Sequence, residues 1–261
     1  MGANAGMLWF VDSDDPIADL RFGVRNDPEA AAHLARAVVG DSVLVPRGET
    51  TLDRAAAGGD DEVAVGSFGR IAVVVGAPVA TDHPSHLPDS VIAARPAQVV
   101  HLIVTDIERS FGAFASWENG TLRRSFASNP VDIAENIGLP YVFEREFWAG
   151  ERPLRYSEGA MPDPQALPFH PTEFADQAST NWVGLRLTPP FGPDVISPEA
   201  ITVSRFAIRP PGHQPTADDL RDPHRAETRN PEPAHDAEQT EDGEDVSAPT
   251  KVARWFGFGR R

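Results

Sequence analysis

Three aspartates that follow the first apolar stretch are the residues of this sequence best suited to catalysis. Met7–Val11 is short and apolar, which predicts a buried strand, and Asp12, Asp14 and Asp15 come directly after it. Hard divalent cations prefer clustered carboxylate oxygens, and such an ion can activate water or stabilise charge on a phosphoryl group. The spacing therefore indicates a metal-dependent hydrolase or phosphatase as one hypothesis.

The residues beside these aspartates also fit a structural role. Haloacid-dehalogenase-like phosphatases, which end a strand in Asp-x-Asp, place a threonine or similar residue next and use a basic residue, usually lysine, for the phosphate. Here Pro16 and Ile17 follow instead, and the only lysine of the chain is Lys251, close to its C-terminus. Asp and Pro are typical of turns. The alternative is a turn that ends the strand and caps the next element.

Histidines are the next candidates for chemistry. His83 and His86, with Asp82 beside them, offer a metal two imidazoles and a carboxylate, but the proline between them excludes the helical spacing of familiar zinc motifs. The alternative for this segment is a polar loop. His101 lies within an apolar stretch, which favours a hydrogen-bonded core histidine over a catalytic base. His170 precedes a predicted helix and is the remaining candidate for a pocket-lining or catalytic residue.

Acidic residues around Trp148 are the last candidates for catalysis. Glu144, Glu146 and Glu151 could supply the carboxylate pair of a glycosidase beside a sugar-stacking aromatic. Aromatics interleaved with Glu and Arg are also typical of the solvated edge of a core, and this is the alternative. No Gly-x-Ser-x-Gly, Walker or dinucleotide-binding motif is present, so no cofactor is expected.

The composition excludes further classes of protein. Without Cys there is no disulfide, thiolate zinc site or cysteine nucleophile, and the absence of lysine before Lys251 removes P-loop ATPases and Schiff-base enzymes. A net charge of −16 disfavours nucleic acid, because duplex binding requires a concentrated basic face. No stretch is long enough to cross a bilayer and no basic leader precedes Met7–Val11, so the cytoplasm is the expected location.

The last fifty residues differ from the rest of the chain. Residues 213–250 carry eleven Asp and Glu against three Arg and few large apolar side chains, which predicts a disordered acidic linker. Residues 251–261 are basic and aromatic, and the side chains suited to binding are Lys251, Arg254, Trp255, Phe256, Phe258, Arg260 and Arg261. This peptide is predicted to contact a protein partner or an anionic membrane surface. The alternatives are that this peptide folds back onto the body of the chain or that it has no role.

Hydrophobic patterns predict the elements that position these residues. Pro28 and Gly40 delimit a helix with one apolar face. Leu52–Asp61, which is small and polar, is predicted to be a surface loop. The predicted strands are Glu62–Phe68, Ile71–Val75, Val99–Thr105 and Ile201–Ile208, and a short helix is predicted at Leu87–Ala94.

Glu118-Asn119-Gly120 is the strongest local signal, because Asn-Gly between two alternating stretches is typical of a hairpin. The predicted arms are Phe111–Trp117 and Leu122–Ser128. Strict alternation predicts that four side chains of the second arm share one face, namely Leu122, Arg124, Phe126 and Ser128. An arginine among apolar neighbours indicates a half-buried or pairing face.

The remainder of the body is aromatic. The apolar residues of Pro140–Pro168 show no regular spacing, which predicts a loop that lies across the body and caps a groove, the site of a small-ligand pocket in the third function class. Thr172 is predicted to cap a following helix, and its buried stripe is expected to be Phe174, Ala178, Trp182 and Leu185. The whole pattern predicts an α+β fold, with a mostly antiparallel sheet and about three packed helices in one domain over residues 1–212.

Three stretches, in this order, resemble a family of uncharacterised actinobacterial proteins that is known as a domain of unknown function. They are Phe111–Pro130, Glu135–Pro153 and Leu167–Pro171, and the resemblance covers about residues 1–190. It implies a soluble intracellular bacterial protein and supplies no activity or catalytic residue. The acidic linker and residues 251–261 are not features of that family.

Taken together, the sequence favours a non-catalytic interaction or structural module, whose basic and aromatic C-terminal peptide contacts a partner or a membrane. A metal-dependent hydrolase that uses Asp12, Asp14 and Asp15 is the alternative, and a small-ligand binder is a third class. No pattern in the sequence indicates an oligomeric state.

Overall fold

The computed structural model describes residues 4–154, 165–188, 192, 195–216 and 219. They belong to one compact unit, residues 1–222, whereas the second unit, residues 223–261, lies outside the described part. The terminal peptide 251–261 and nearly all of the predicted linker are therefore not described. The described residues of that linker contact the end of the last strand, since Asp219 accepts hydrogen bonds from Arg209 Nε at 3.0 Å and from Thr216 N at 2.9 Å.

One nine-stranded sheet organises the described residues, and every neighbouring pair of strands is antiparallel. The strands are β1 (Asn4–Val11), β2 (Val43–Thr51), β3 (Glu62–Phe68), β4 (Ile71–Gly76), β5 (Val99–Asp106), β6 (Phe111–Glu118), β7 (Thr121–Ser128), β8 (Ile133–Gly138) and β9 (Thr202–Arg209). Their spatial order is β2-β9-β3-β4-β1-β5-β6-β7-β8. The sheet therefore has two edges, β2 and β8.

Two long helices and four short ones accompany the sheet in the described part. The helices are α1 (Pro16–Arg21), α2 (Pro28–Val39), α3 (Leu52–Ala56), α4 (Asp89–Ile92), α5 (Arg145–Trp148) and α6 (Pro171–Val183). The α2 helix packs on one face of the sheet and α6 on the other, and these are called here the α2 face and the α6 face. The predicted α+β fold with a mostly antiparallel sheet is confirmed.

Burial on both faces explains the apolar stretch at the start of the chain. Leu8 and Phe10 pack in the core of the α2 face, while Met7 and Trp9 pack in a second core on the opposite face. A strand covered on both sides needs apolar residues at every position rather than at alternate ones. Met7–Val11 is thus a buried strand, as predicted. No helix in the described residues is both long enough and apolar enough to span a membrane.

The ends of α2 follow the predicted signals. The side chain of Asp27 accepts hydrogen bonds from the backbone N–H groups of Glu29 and Ala30, which satisfies donors that a helix start leaves unpaired. Pro28 occupies the first helical position, and Gly40 ends the helix at a φ of 68°, a conformation that costs glycine little.

The hairpin is confirmed, but one predicted face is wrong. Asn119 and Gly120 have positive φ angles of 50° and 77°, as a tight hairpin turn requires. A register shift between Ser116 and Trp117 inserts one extra residue into β7. Because a bulge interrupts the alternation, Leu122 packs on the α2 face, whereas Arg124 and Phe126 turn to the α6 face.

Two further predictions are wrong. Leu52–Asp61 is not simply a surface loop, because Leu52 begins α3 and is buried together with Ala55 and Ala56. Thr172 does not cap α6: His170 stands at the cap position without a side-chain bond to the helix, and Pro171 is the first helical residue. Proline needs no partner for a backbone N–H that it lacks.

Candidate functional site

The predicted aspartate cluster is divided among separate structural contacts. The side chain of Asp15 caps α1, since its Oδ1 accepts from Ala18 N at 3.0 Å. Asp14 is almost fully exposed and lies 4.0 Å from Arg70 Nη2. Across the described residues, no group of three or more His, Asp or Glu side chains is arranged to hold a metal ion. The turn-and-cap alternative describes these residues better than the metal-site hypothesis.

The histidines do not form a site with the acidic residues predicted beside them. Asp82 forms a bidentate ion pair with Arg109, at 3.0 and 2.6 Å. His83 instead lies with its Nδ1 3.5 Å from Glu135 Oε1. His170 Nδ1 is hydrogen-bonded to Thr172 Oγ1 at 2.8 Å, which links the residue before α6 to its first turn.

His101 is buried, as predicted, but its environment is aromatic. Its ring stacks on Trp182 with centroids 4.2 Å apart and planes 9° from parallel. Its Nδ1 has no hydrogen-bond partner among the described residues, so this nitrogen does not make the predicted hydrogen bond there. Burial lowers the pKa of His101 to about 3, because the imidazolium would lose its hydration. The ring is therefore neutral near pH 7.

The proposed glycosidase carboxylates are not paired with each other. Glu144 is fully buried and binds Arg124, with Nε–Oε1 at 2.8 Å and Nη2–Oε2 at 2.7 Å. Glu146 binds Arg152 instead. The aromatic segment around them is not an open loop over a pocket, because its rings pack with those of β6, β7 and α6.

The Arg124–Glu144 pair is a hub that fixes the end of the sheet. Arg124 Nη1 donates to Asn136 Oδ1 at 2.7 Å and to the carbonyl of Ile137 at 3.0 Å, both on β8. Glu144 accepts from Tyr141 N at 3.0 Å and from Trp148 Nε1 at 3.2 Å. One buried pair thus ties β7, β8 and the segment that leads into α5 together on the α6 face.

A second buried carboxylate holds β8 from the opposite face. Glu135 accepts from Ser125 Oγ at 2.5 Å, and from Ser85 through its Oγ at 2.7 Å and its N at 3.1 Å. Ser85 lies in a 3₁₀ turn, Pro84–His86, which is thereby fixed to β8. The contacts of Glu144 and Glu135 are called here the β8 clamp. They fasten this short edge strand on both faces of the sheet.

The outer side of this clamped strand is open. β8 is the last strand of the sheet, and the described residues pair with it only through β7. Six of the eight large apolar side chains that are exposed in the described part lie in or beside it, which marks this edge as the principal apolar surface. They form the apolar strip: Val131, Ile133, Ile137, Leu139, Val142 and Trp148.

The other edge of the sheet is protected. β2 contains Pro46, which has no N–H to donate, and its register shifts between Pro46 and Glu49. Prolines and bulges are common devices that prevent a sheet edge from pairing with another chain. β8 contains no proline, and its one charged side chain, Glu135, is buried in the clamp. The β8 edge is therefore the candidate functional site.

Sequence reasoning missed β8 for a physical reason. A register shift between Ala127 and Ser128 places an extra residue in the strand, and most of its side chains are exposed, so no alternation of apolar residues is visible. The signals that could have found it are the turn residues Asn129 and Pro130 before it and Gly138 at its end. Gly138 has a φ of 82°, and a Cβ there would lie 2.0 Å from the carbonyl oxygen of Arg123.

The described residues define an α+β protein, built on a single antiparallel sheet that ends in a clamped, open strand. The chain belongs to the Family of unknown function (DUF6928), whose model matches residues 5–206. The predicted membership of a domain of unknown function is thus confirmed, while the actinobacterial source and the cytoplasmic location stay predictions. No significant match was found among curated proteins or among solved structures.

The buried pair predicts large and coupled losses of stability. Glu144→Leu leaves a buried guanidinium without a counter-charge, and Arg124→Met leaves a buried carboxylate, so each should cost about 3–5 kcal/mol of unfolding free energy. The double variant Arg124→Met/Glu144→Leu should cost much less than the sum. Urea unfolding of the three variants measures this coupling.

The exposed pair of Arg123 and Glu118, with Nε and Oε2 3.0 Å apart, is the matched control. Arg123→Met should cost less than about 1 kcal/mol, because solvent screens the pair. If the losses of the Arg124 and Glu144 variants are simply additive, the two residues do not act as one unit.

The pKa of His101 predicts a loss of stability in acid. The unfolded chain binds a proton at this histidine near pH 6.5, but the folded chain does so only near pH 3. Between these values the unfolded state holds more protons, so the unfolding free energy falls as the pH falls, by at most about 1.4 kcal/mol per pH unit. Below about pH 3 His101 is protonated in both states, so it causes no further fall in the unfolding free energy.

His101→Phe keeps a ring against Trp182 and removes the titration. Chemical denaturation from pH 7 to pH 3 should show a smaller acid loss for this variant than for the wild type. Burial raises the pKa of Asp176, but both proteins share that residue, so it cancels in the comparison. If the unfolding free energies of the two proteins fall in parallel between pH 7 and pH 3, this result would contradict the low pKa of His101.

Proposed function

We propose that this protein is a non-catalytic interaction module that binds a protein partner along the β8 edge. The observation that carries this proposal is the combination of a clamped strand, whose outer backbone pairs with no other strand among the described residues, and the apolar strip around it. The same described residues offer no metal-binding cluster. Among their candidate catalytic groups, Asp15, Asp82, Glu144, Glu146 and His170 make structural hydrogen bonds or ion pairs, and His101 is buried and neutral.

The backbone of β8 supplies the directional part of binding. An extended segment that adds to a sheet edge gains main-chain hydrogen bonds, and side-chain contacts then select among sequences. A rigid edge binds better than a mobile one, because less conformational freedom is lost when the partner adds. The carboxylates of Glu144 and Glu135 provide that rigidity on the two faces of the sheet.

The apolar strip supplies the driving force. Leu139 and Val142 are 86% and 92% exposed, and burying apolar area contributes about 25 cal/mol per Å² before the cost of association. No exposed charged side chain lies on β8 itself, since Glu135 is turned into the clamp. The chemistry of the edge therefore suits an uncharged, extended segment of a protein better than nucleic acid or a cofactor.

The C-terminal peptide is the second element of the proposal. Lys251, Arg254, Trp255 and the residues up to Arg261 combine the aromatic and cationic side chains that anchor protein interfaces. A protein partner is favoured over an anionic membrane, because the chain carries a net charge of −16 that such a surface would repel. This element lies outside the described residues and rests on the sequence alone.

Site-specific photo-crosslinking in cells that produce the protein natively tests the proposal. A photoreactive phenylalanine analogue at Leu139 should form covalent protein adducts at the β8 edge. The same analogue at Phe22 is the control, because Phe22 is equally exposed, at 88%, but lies at the end of α1. Mass spectrometry of the adducts identifies the partner.

Equal adduct yields at the two positions, or none at Leu139, would contradict a binding role for the β8 edge. Repeating the experiment with a chain that stops at Thr250 separates the two elements. Unchanged adducts, together with unchanged binding to anionic vesicles, would remove the C-terminal peptide from the proposal.

A further inference from the structure

We propose that the partner at the β8 edge is a second copy of this chain, so that two β8 strands pair antiparallel about a twofold axis. This inference rests on the interaction function proposed above and names the occupant of that edge. The paired sheets would form one continuous sheet, with β2 at both ends. The described structure favours this occupant through three features: the asymmetry of its two edges, its charge and its apolar faces.

The asymmetry of the edges limits how copies can pair. A β8 strand could in principle add to the β2 edge of the next copy, and repetition of that contact would give a filament. Pro46 and the register shift that follows it disfavour the pairing at β2. The remaining homotypic contact is β8 against β8, which is self-complementary and closes at two copies.

Charge favours the same contact. Two copies of a chain with a net charge of −16 repel each other over most of their surfaces. β8 exposes no charged side chain, because Glu135 binds Ser85 and Ser125 within its own copy. Two β8 edges can therefore approach each other without opposing carboxylates.

The ends of the strand add a complementary pair of charges. Asp132 precedes β8, and Arg145 lies near its far end, because the neighbouring Glu144 binds Arg124, the residue paired with Gly138. Both Asp132 and Arg145 are exposed, and neither forms an ion pair with a described residue. Antiparallel pairing brings the start of one β8 to the end of the other, and so brings these opposite charges toward each other.

Both faces of the joined sheet would gain apolar contacts. Ile137 follows the register of Ser125 and lies on the α2 face, whereas Trp148 packs beside Phe126 on the α6 face. A twofold axis perpendicular to the sheet keeps each face on its own side. The Ile137 side chains of both copies then line the interface on one face, and the residues around Trp148 line it on the other.

The experiment measures the mass of the full chain by light scattering after size exclusion, from micromolar to submillimolar concentration. The wild type should reach twice the chain mass. Ile137→Lys should shift the protein to the monomer, because each interface would then bury two cations in place of two apolar side chains. Ile107→Lys should leave the dimer intact, since Ile107 is more exposed than Ile137, at 59% against 44%, but lies in the turn between β5 and β6.

Leu139→Lys provides a second variant outside the strand, in case Ile137→Lys lowers the stability of β8. It should also shift the equilibrium toward the monomer, with an unchanged circular dichroism spectrum. A wild type that stays monomeric throughout this range, or a dimer that survives both edge variants, would overturn the inference. The inference would also be overturned if Ile107→Lys lost the dimer to the same extent as the two edge variants.

The two proposals fail separately. A monomeric wild type that still gives adducts with a different protein at Leu139 would leave the interaction function standing and remove only the second copy as its partner. A dimer without position-specific adducts at Leu139 would instead mean that the copies associate elsewhere, which contradicts both.

Discussion

A fully buried ion pair between Arg124 and Glu144 determines the arrangement of the last strands of the sheet. Removing two charges from water is costly, and their attraction compensates only when the remaining polar atoms are also bonded. Here the guanidinium binds a side-chain oxygen and a carbonyl of β8, and the carboxylate accepts from Tyr141 and Trp148. The pair thus selects one position for β8 and for the chain that follows it.

The aromatic core on the α6 face depends on that position. Phe147 and Phe174 pack with centroids 4.6 Å apart, and Phe126 contacts Phe174 at 4.9 Å. Such rings contribute through area and through edge-to-face geometry, which requires fixed neighbours. Because Glu144 holds the start of α5, the rings of that helix meet those of β7 and α6. The polar hub and the aromatic core therefore support each other.

The clamp also explains how an exposed strand with apolar neighbours can be a specific surface. An edge strand that frays offers its backbone to any extended chain, which is a common route to aggregation. Glu135 and Glu144 restrict β8 to one conformation, and the bulge at its start shortens the stretch available for pairing. The structure thus combines an open edge with a defined geometry, and protection of β2 confines that property to one side of the sheet.

Local signals predicted much of the fold but little of the site. Buried strands such as Met7–Val11, the Asn-Gly turn and the α2 caps could be found because each depends on residues close in sequence. The pairing of Arg124 with Glu144 and of Glu135 with Ser85 depends on the register of β7 and β8, which two bulges shift. The sequence indicated a half-buried or pairing face around Arg124, but it did not predict that Arg124 is fully buried or that Glu144 is its partner.

Amide hydrogen exchange of Ile133–Gly138, in dilute wild-type protein, tests the central claim most directly. Successive residues of an antiparallel strand direct their N–H groups to opposite sides. A clamped strand with an open outer edge should therefore show alternation: slow exchange for amides bonded to β7 and fast exchange for those directed outward. Uniformly fast exchange would mean that β8 is not held, and uniformly slow exchange in the monomer would mean that its edge is already covered.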